Sequence, residues 1–325
     1  MITNSHLEWV LKQEKLAKYH EKVKKSLKLS KKMRKNGKKP SETLAASNNT
    51  CERFCYHMSN KTEGLPGLLM RKEGDAEAID REINEAYDWT GVVKQFHKEV
   101  LGINSYDNAG GNILSSCHFG EGYDNGFWNG TQLVLGDGHV FYPLTRDLTV
   151  IAHELGHSVV QYTANLNYYS QSGAMNESYA DVFGVTCKQW YLKQTSLQAD
   201  WLIGPDICRP EFGKALRSFK DEKAFPGDDQ PSTFKNYNRS LADQQQVHCN
   251  SKIPNHAFYL FCINASALGS LNAYEAPLQV WFKSLLKLSK YSKFRNLKKA
   301  TLEVCLKDYP NLVPALESAW KSVNL

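Results

Sequence analysis

Apolar residues recur along this chain with two distinct periods, and the change from one to the other divides it. Near the N-terminus Leu16, Tyr19, Val23 and Leu27 repeat at three to four residues with lysines between them, which predicts an amphipathic helix. Residues 36–49, rich in Gly, Lys, Pro and Ser, read as a linker, and Gly64 to Gly74 is punctuated by Gly and Pro. Helical spacing returns with Ile79, Ile83, Tyr87, Val93, Phe96 and Val100, predicting a helix over about 75–101. Residues 110–142 switch to short β-like runs, Ile113-Leu114 and Gln132-Leu133-Val134-Leu135, with Asp137-Gly138 as a hairpin signal. Beyond Leu144 helical patterns dominate, at about 147–165, 174–192, 256–268, 274–289, 294–306 and 312–323. The segment 204–250, rich in Gly, Pro, Asp and Asn, reads mostly as ordered loop. A β-rich half before a helical half predicts an α+β fold with a cleft between the halves.

Composition agrees with a globular enzyme-sized protein. The chain has 325 residues, 42% hydrophobic and 11% aromatic, which excludes a disordered or fibrous protein. No apolar run approaches the ~18 residues of a membrane span.

Charge changes the picture more. The net charge is +6, yet 13 of the 40 Lys and Arg lie between Lys12 and Lys39 with only Glu14 and Glu21 against them. That segment carries +11 and the remainder −5, so a basic arm precedes a mildly acidic body. The arm reads as a helix docked on the body; binding to an anionic membrane or to nucleic acid is the alternative, and no nucleic-acid partner is expected. The first 30 residues show no signal-peptide core or cleavage site, which predicts a cytoplasmic protein or one secreted by a non-classical route. The eight cysteines are scattered without a CxxC pair, so no disulfide framework or zinc ribbon is indicated and their pairing stays open.

The strongest chemical signal is His153-Glu154-Leu155-Gly156-His157, inside a predicted helix. Residues four apart on a helix are about 40° apart around the axis and one turn apart along it. Both imidazoles therefore face one point and can bind one Zn²⁺, and Glu154 beside them can act as general base on a water there. Two ordinary core histidines are the plain alternative. Twenty residues after His157, Glu177 in Gly173-Ala174-Met175-Asn176-Glu177-Ser178-Tyr179-Ala180-Asp181 is placed to be a third ligand. Asp181, one turn on, and Asn176 are placed to accept the second ring N–H of the ligand histidines.

These motifs resemble the thermolysin family of neutral metallopeptidases. Tyr123-Asp124-Asn125-Gly126-Phe127-Trp128-Asn129-Gly130, Gly136-Asp137-Gly138 and Val247-His248-Cys249-Asn250-Ser251 agree and follow the family's order, from about Leu65 to the C-terminus. Leu65-Pro66-Gly67, Glu73-Gly74-Asp75 and the short leader are most similar to the protealysin-like subgroup. The resemblance implies a leader at 1–57 that acts as a pro-segment and inhibitor, an N-terminal β-rich half at 58–152 and a C-terminal helical half at 153–325. The zinc-binding helix at about 147–165 would bridge the halves, and the protein would be a monomer. It implies His153, His157 and Glu177 as zinc ligands and Glu154 as base. His248 and Tyr168 would stabilise the oxyanion, with Asp243 holding the His248 imidazole. Asn125 and Gly126 would bind substrate main chain, and Arg217 would support the substrate carbonyl. Phe141, Leu144, Val150, Ile203 and Leu216 would form an apolar pocket, giving cleavage of internal peptide bonds before Leu, Phe or Ile. Another zinc hydrolase, such as an aminopeptidase, and a non-catalytic binding protein are the rival classes.

The chain departs from the family pattern in several places. Gly126 stands where alanine is usual, Lys252 where glycine is usual, and the leader lacks a Pro-Pro-Tyr element. The positions matching a paired calcium site are Thr149, Lys188, Leu202 and Pro205, with only Asp200 left as a carboxylate, so that site is expected to be lost.

Overall fold

The protein, described by a computed structural model, is seen for residues 2–35, 50–239 and 243–325, with the backbone alone for 33–35 and 243–245. It divides into two units, one comprising residues 1–158, 204–216 and 224–228, the other 159–203, 217–223 and 229–325.

In the first unit local signals start each element. Thr3 opens α1 (Asn4–Leu11) with a reciprocal cap: its Oγ1 accepts the His6 N–H while His6 Nδ1 accepts the Thr3 N–H. A 3₁₀ turn over Glu14–Tyr19 leads into α2 (His20–Lys35). Val23, Ser26 and Ser30 of α2 are buried, and Lys24, Lys25, Lys28, Lys31 and Lys32 are exposed, so the arm is a docked amphipathic helix. Leu29 packs against Met58, Phe119, Tyr123 and Val134 of the body.

Five strands follow: β1 (Arg53–His57), β2 (Leu68–Lys72), β3 (Ile113–Cys117), β4 (Gly126–Trp128) and β5 (Leu133–Leu135). They form one mixed sheet in the order β2-β1-β3-β5-β4, in which β1, β3 and β5 run parallel and β2 and β4 are antiparallel edges. The sheet takes in residues 53–57, which the sequence pattern leaves with the leader. β1 pairs on both sides, antiparallel with β2 and parallel with β3. Asp80 caps α3 (Arg81–Phe96), whose buried stripe Ile83, Ala86, Tyr87, Thr90, Val93 and Phe96 covers the sheet. Asp137-Gly138 does not join two strands: Gly138, at φ +67°, turns the chain back so that its N–H reaches Tyr123 O at 3.1 Å. α4 (Leu148–Tyr162) completes the elements that matter for the site.

The second unit is helical. α5 (Ser170–Tyr191) has 16 of its 22 residues buried and is its central helix. α6 (Asp243–Asn250), α7 (Lys252–Ser266), α8 (Ala276–Leu285), α9 (Phe294–Asp308) and α10 (Val313–Ser322) follow, with Trp281 and Trp320 stacked at 5.5 Å in their core. The two-residue strands β6 (Leu202–Ile203) and β7 (Arg217–Ser218) pair antiparallel. α6 lies in a stretch read as loop from its composition; its weak apolar pattern hides a helix that packs on α5. Among the described residues no helix is long and apolar enough to cross a membrane, and all eight cysteines are free thiols.

Candidate active site

Asp147, just before α4, accepts the Thr149 N–H and hydroxyl at 2.8 and 2.6 Å and so fixes where the helix begins. Two turns on, His153 and Glu154 are buried and His157 is half-buried. The two imidazoles meet edge to face, 4.6 Å apart at 85°. Ligand atoms of His153, Glu154 and His157 lie within 4.8 Å of one another. Glu154 Oε2 accepts the Trp128 N–H at 3.0 Å, which ties the carboxylate to the edge strand β4. Two imidazoles converging in this way suit a zinc ion.

A second cluster of similar composition has different chemistry. His118, left-handed at φ +56°, donates Nδ1 to Asp137 at 3.0 Å and Nε2 to Asp80 at 3.1 Å. Burial alone would lower its pKa, but the Asp137 hydrogen bond and the two carboxylate charges hold it up at about 9. His57 stacks on it at 4.2 Å and 23°, with Nδ1 accepting the Ser59 N–H. Both His118 nitrogens are committed as donors and the two rings lie side by side, which is the geometry of an ion pair.

The Asn125 side chain, just before β4, is engaged by the N-terminal residue Ile2. Asn125 Oδ1 accepts the Ile2 N–H at 2.9 Å, and Asn125 Nδ2 donates to Ile2 O at 3.1 Å. Asp124 Oδ1 accepts the N–H groups of His139, Val140 and Phe141, and its other oxygen accepts the α2 hydroxyl of Ser26 at 3.3 Å. Burial pushes the Asp124 carboxyl up while those backbone donors pull it down. Phe141, Leu144, Val150 and Leu216, the predicted pocket residues of this unit, are fully buried. At Gly126 an added Cβ would lie 3.1 Å from both Leu135 and Leu144, so the missing methyl of the alanine usual in the family gives Leu144 room.

Within the second unit three of the predicted residues come together. Glu177 of α5 is buried; Tyr168 donates its hydroxyl to Glu177 Oε1 and lies 3.1 Å from His248 Nε2, which is itself 3.4 Å from Glu177. Asp181, one turn after Glu177, binds the buried Arg217 through Nε at 3.1 Å and Nη2 at 2.6 Å, and accepts from Asn255 Nδ2 at 2.9 Å. Asn176 Nδ2 donates to Leu166 O, and Ile203 is buried in β6. Asp243 is the first residue of α6, and its side chain lies outside the described residues. Lys252, the other departure, is buried with Nζ on Glu222 O at 3.0 Å and opens α7 beside the His248 turn. Sequence reading missed the Trp128 N–H, Asn255 and Ile2. Trp128 sits in a motif it singled out, whereas the other two carry no local signal.

Residues 17–161 match the thermolysin metallopeptidase catalytic domain, and residues 164–325 match the thermolysin metallopeptidase alpha-helical domain. An extracellular metalloprotease of Pectobacterium carotovorum subsp. carotovorum is 37% identical over 83% of this chain and 80% of its own length. Protease PrtS of Photorhabdus sp. (strain Az29) is 36% identical over 85% and 77% respectively. The precursor of protealysin, a metalloproteinase from Serratia proteamaculans, superposes with a TM-score of 0.81 at 36% identity, covering 87% of this chain and 90% of that one. With both of its domains matched and its helix-borne His-Glu-His group in place, the chain belongs to the thermolysin family of zinc metalloendopeptidases.

Proposed function

We propose that this endopeptidase cuts before large hydrophobic residues and is made as a latent proenzyme masked by its own leader. The observation that carries the reading is the convergence of His153, Glu154 and His157 within 4.8 Å on one buried helix. His153, His157 and Glu177 would hold the zinc. When bound, it supplies a Lewis acid that polarises the scissile carbonyl and acidifies the attacking water.

The chain's own residues do the rest. Glu154, held by the Trp128 N–H, takes the proton of the attacking water and delivers it to the leaving nitrogen. Tyr168 and His248 donate hydrogen bonds to the developing oxyanion, and their mutual contact at 3.1 Å sets them side by side. The Asn125 amide and the β4 edge hold the substrate main chain, as an added strand is held. Phe141, Leu144, Val150, Ile203 and Leu216 favour Leu, Phe or Ile after the cut bond. Asp181 holds Arg217 in a buried ion pair.

Latency rests on Ile2, which takes both hydrogen-bonding groups of the Asn125 side chain that substrate would need. Asp124 and Tyr123 beside Asn125 are engaged by Ser26 and Ser30 of α2. The paired calcium site would be lost; the Lys188 Nζ–Asp200 ion pair at 2.7 Å supports that reading. Thr149, another of the matching positions, accepts the Gly204 N–H at 2.9 Å.

Hydrolysis of an internally quenched peptide blocked at its N-terminus tests the reading. Activity should vanish with a zinc chelator, return with zinc, and be absent in Glu154→Gln. A peptide-library profile dominated by charged residues after the cut would sink the preference.

A further inference from the structure

The leader does more than cover Asn125. From Ile2 it runs along the body to a seat made of Leu216, Phe225 and Gly227. His6 Nε2 hydrogen-bonds Leu216 O at 3.0 Å, and the His6 ring stands edge-on to Phe225 at 4.7 Å. Trp9 stands edge-on to the same Phe225 at 5.3 Å. Its ring lies against the bare α-carbon of Gly227, where an added Cβ would come within 2.7–2.8 Å of three Trp9 atoms. Gly227 is thus a flat floor that only the absence of a side chain leaves open to a ring. Phe225 is in turn 6.2 Å from Phe141 of the predicted pocket, so the seat continues that pocket.

Chain direction gives the seat a meaning for substrate. An extended peptide held at Asn125 whose downstream residues followed the leader's course from Ile2 would pass over the same seat. Two extended steps of about 3.3 Å and five helical rises of about 1.5 Å put Trp9 within about 14 Å of Ile2, roughly four extended residues. On that course a substrate side chain some four residues downstream of the one at Asn125 would fall within reach of the same place. Buried aromatic rings meeting edge to face gain more than area burial alone.

We propose that Phe225 and Gly227 form a downstream specificity subsite for an aromatic side chain of the peptide substrate, a seat that Trp9 fills until the leader leaves. This rests on the endopeptidase reading above.

The test uses the full chain carrying Ile2→Pro and Trp9→Ala, which loosens the hold on Asn125 and vacates the seat, with and without Gly227→Val or the milder Gly227→Ala. Blocked, quenched peptides are compared in two lengths. The short one ends two residues after the cut; the long ones carry Trp, Ala or Asp scanned three to six residues after it. The Trp peptide should exceed its Ala counterpart by about tenfold in kcat/KM at one position, mainly through KM, and Gly227→Val should remove that ratio. Equal rates for Trp, Ala and Asp at every position, or a ratio untouched by both Gly227 substitutions, would overturn the subsite. Cleavage of the short peptide reports the peptidase itself in each protein, so the two failures are told apart. Fluorescence anisotropy gives a second readout without catalysis: the Trp peptide should bind the Ile2→Pro, Trp9→Ala, Glu154→Gln protein about tenfold more tightly than the Ala peptide, and equal affinities would overturn the proposal.

Discussion

Ile2 and Asn125, 123 residues apart in sequence, hold each other by two hydrogen bonds, one in each direction. A side-chain amide has one acceptor oxygen and one donor nitrogen, and Ile2 engages both. The arrangement makes the proposed latency testable. Ile2→Pro removes the N–H that donates to Asn125 Oδ1 and leaves the rest of the leader in place. Loss of one such bond, worth about 1 kcal/mol, should raise the initial activity of the freshly purified full chain roughly fivefold. The check is the initial rate on a quenched peptide before any leader is cut. An unchanged rate would mean that this contact does not contribute to masking.

Asp181 and Arg217 form a fully buried ion pair, with Arg217 1% and Asp181 0% exposed. Removing the acid strands a guanidinium in the interior. Asp181→Ala should therefore cost about 3–5 kcal/mol of stability, read as a shift in urea midpoint at constant m. A loss below about 1 kcal/mol would show that Arg217 finds another partner or water.

Acid should weaken the Arg53–Glu73 pair that joins β1 to the turn after β2. Arg53 hydrogen-bonds Glu73 through Nε at 2.8 Å and Nη2 at 2.5 Å, which, against partial burial, lowers the Glu73 pKa to about 2. A depressed carboxylate stabilises the folded state fully above its ordinary value near 4.5, and that stabilisation drains as pH falls from there toward 2. Melting temperature measured from pH 5 to pH 2 should fall more steeply for the wild type than for Glu73→Gln. Parallel curves would remove Glu73 from the account of acid sensitivity.

Calcium should be irrelevant to stability. Of the positions that would match the site, Lys188 pairs with Asp200 at 2.7 Å and Thr149 accepts the Gly204 N–H at 2.9 Å. Melting temperatures in excess calcium and in a calcium-selective chelator should agree within about 1 °C, whereas a bound ion at 100 times its Kd would add ~2.7 kcal/mol. A drop of several degrees in the chelator would contradict the loss of the site.

What could be read from the sequence is what local geometry encodes. The 153–157 spacing puts two histidines on one helix face whatever surrounds them, and the structure has both on α4. The Leu16-to-Leu27 spacing foretold a docked arm, and Val23 is indeed fully buried. The family motifs carried Tyr168 and His248 to the same place although neither has a local signal of its own. By contrast α6 was hidden because its residues lack an apolar stripe, and β1 because five residues beside a linker show no clear period.

The sequence by itself determined the helix-borne metal chemistry, the α+β order of elements and the charge division between arm and body, because these follow from spacing and composition along a few turns of chain. Only the tertiary structure decided that Ile2 caps Asn125, that Asp181 carries Arg217 and Asn255, and that Trp9 rests on Gly227. Those partners lie from 36 to more than 200 residues apart, and nothing in a local period specifies which distant surface a side chain meets; packing the whole chain does.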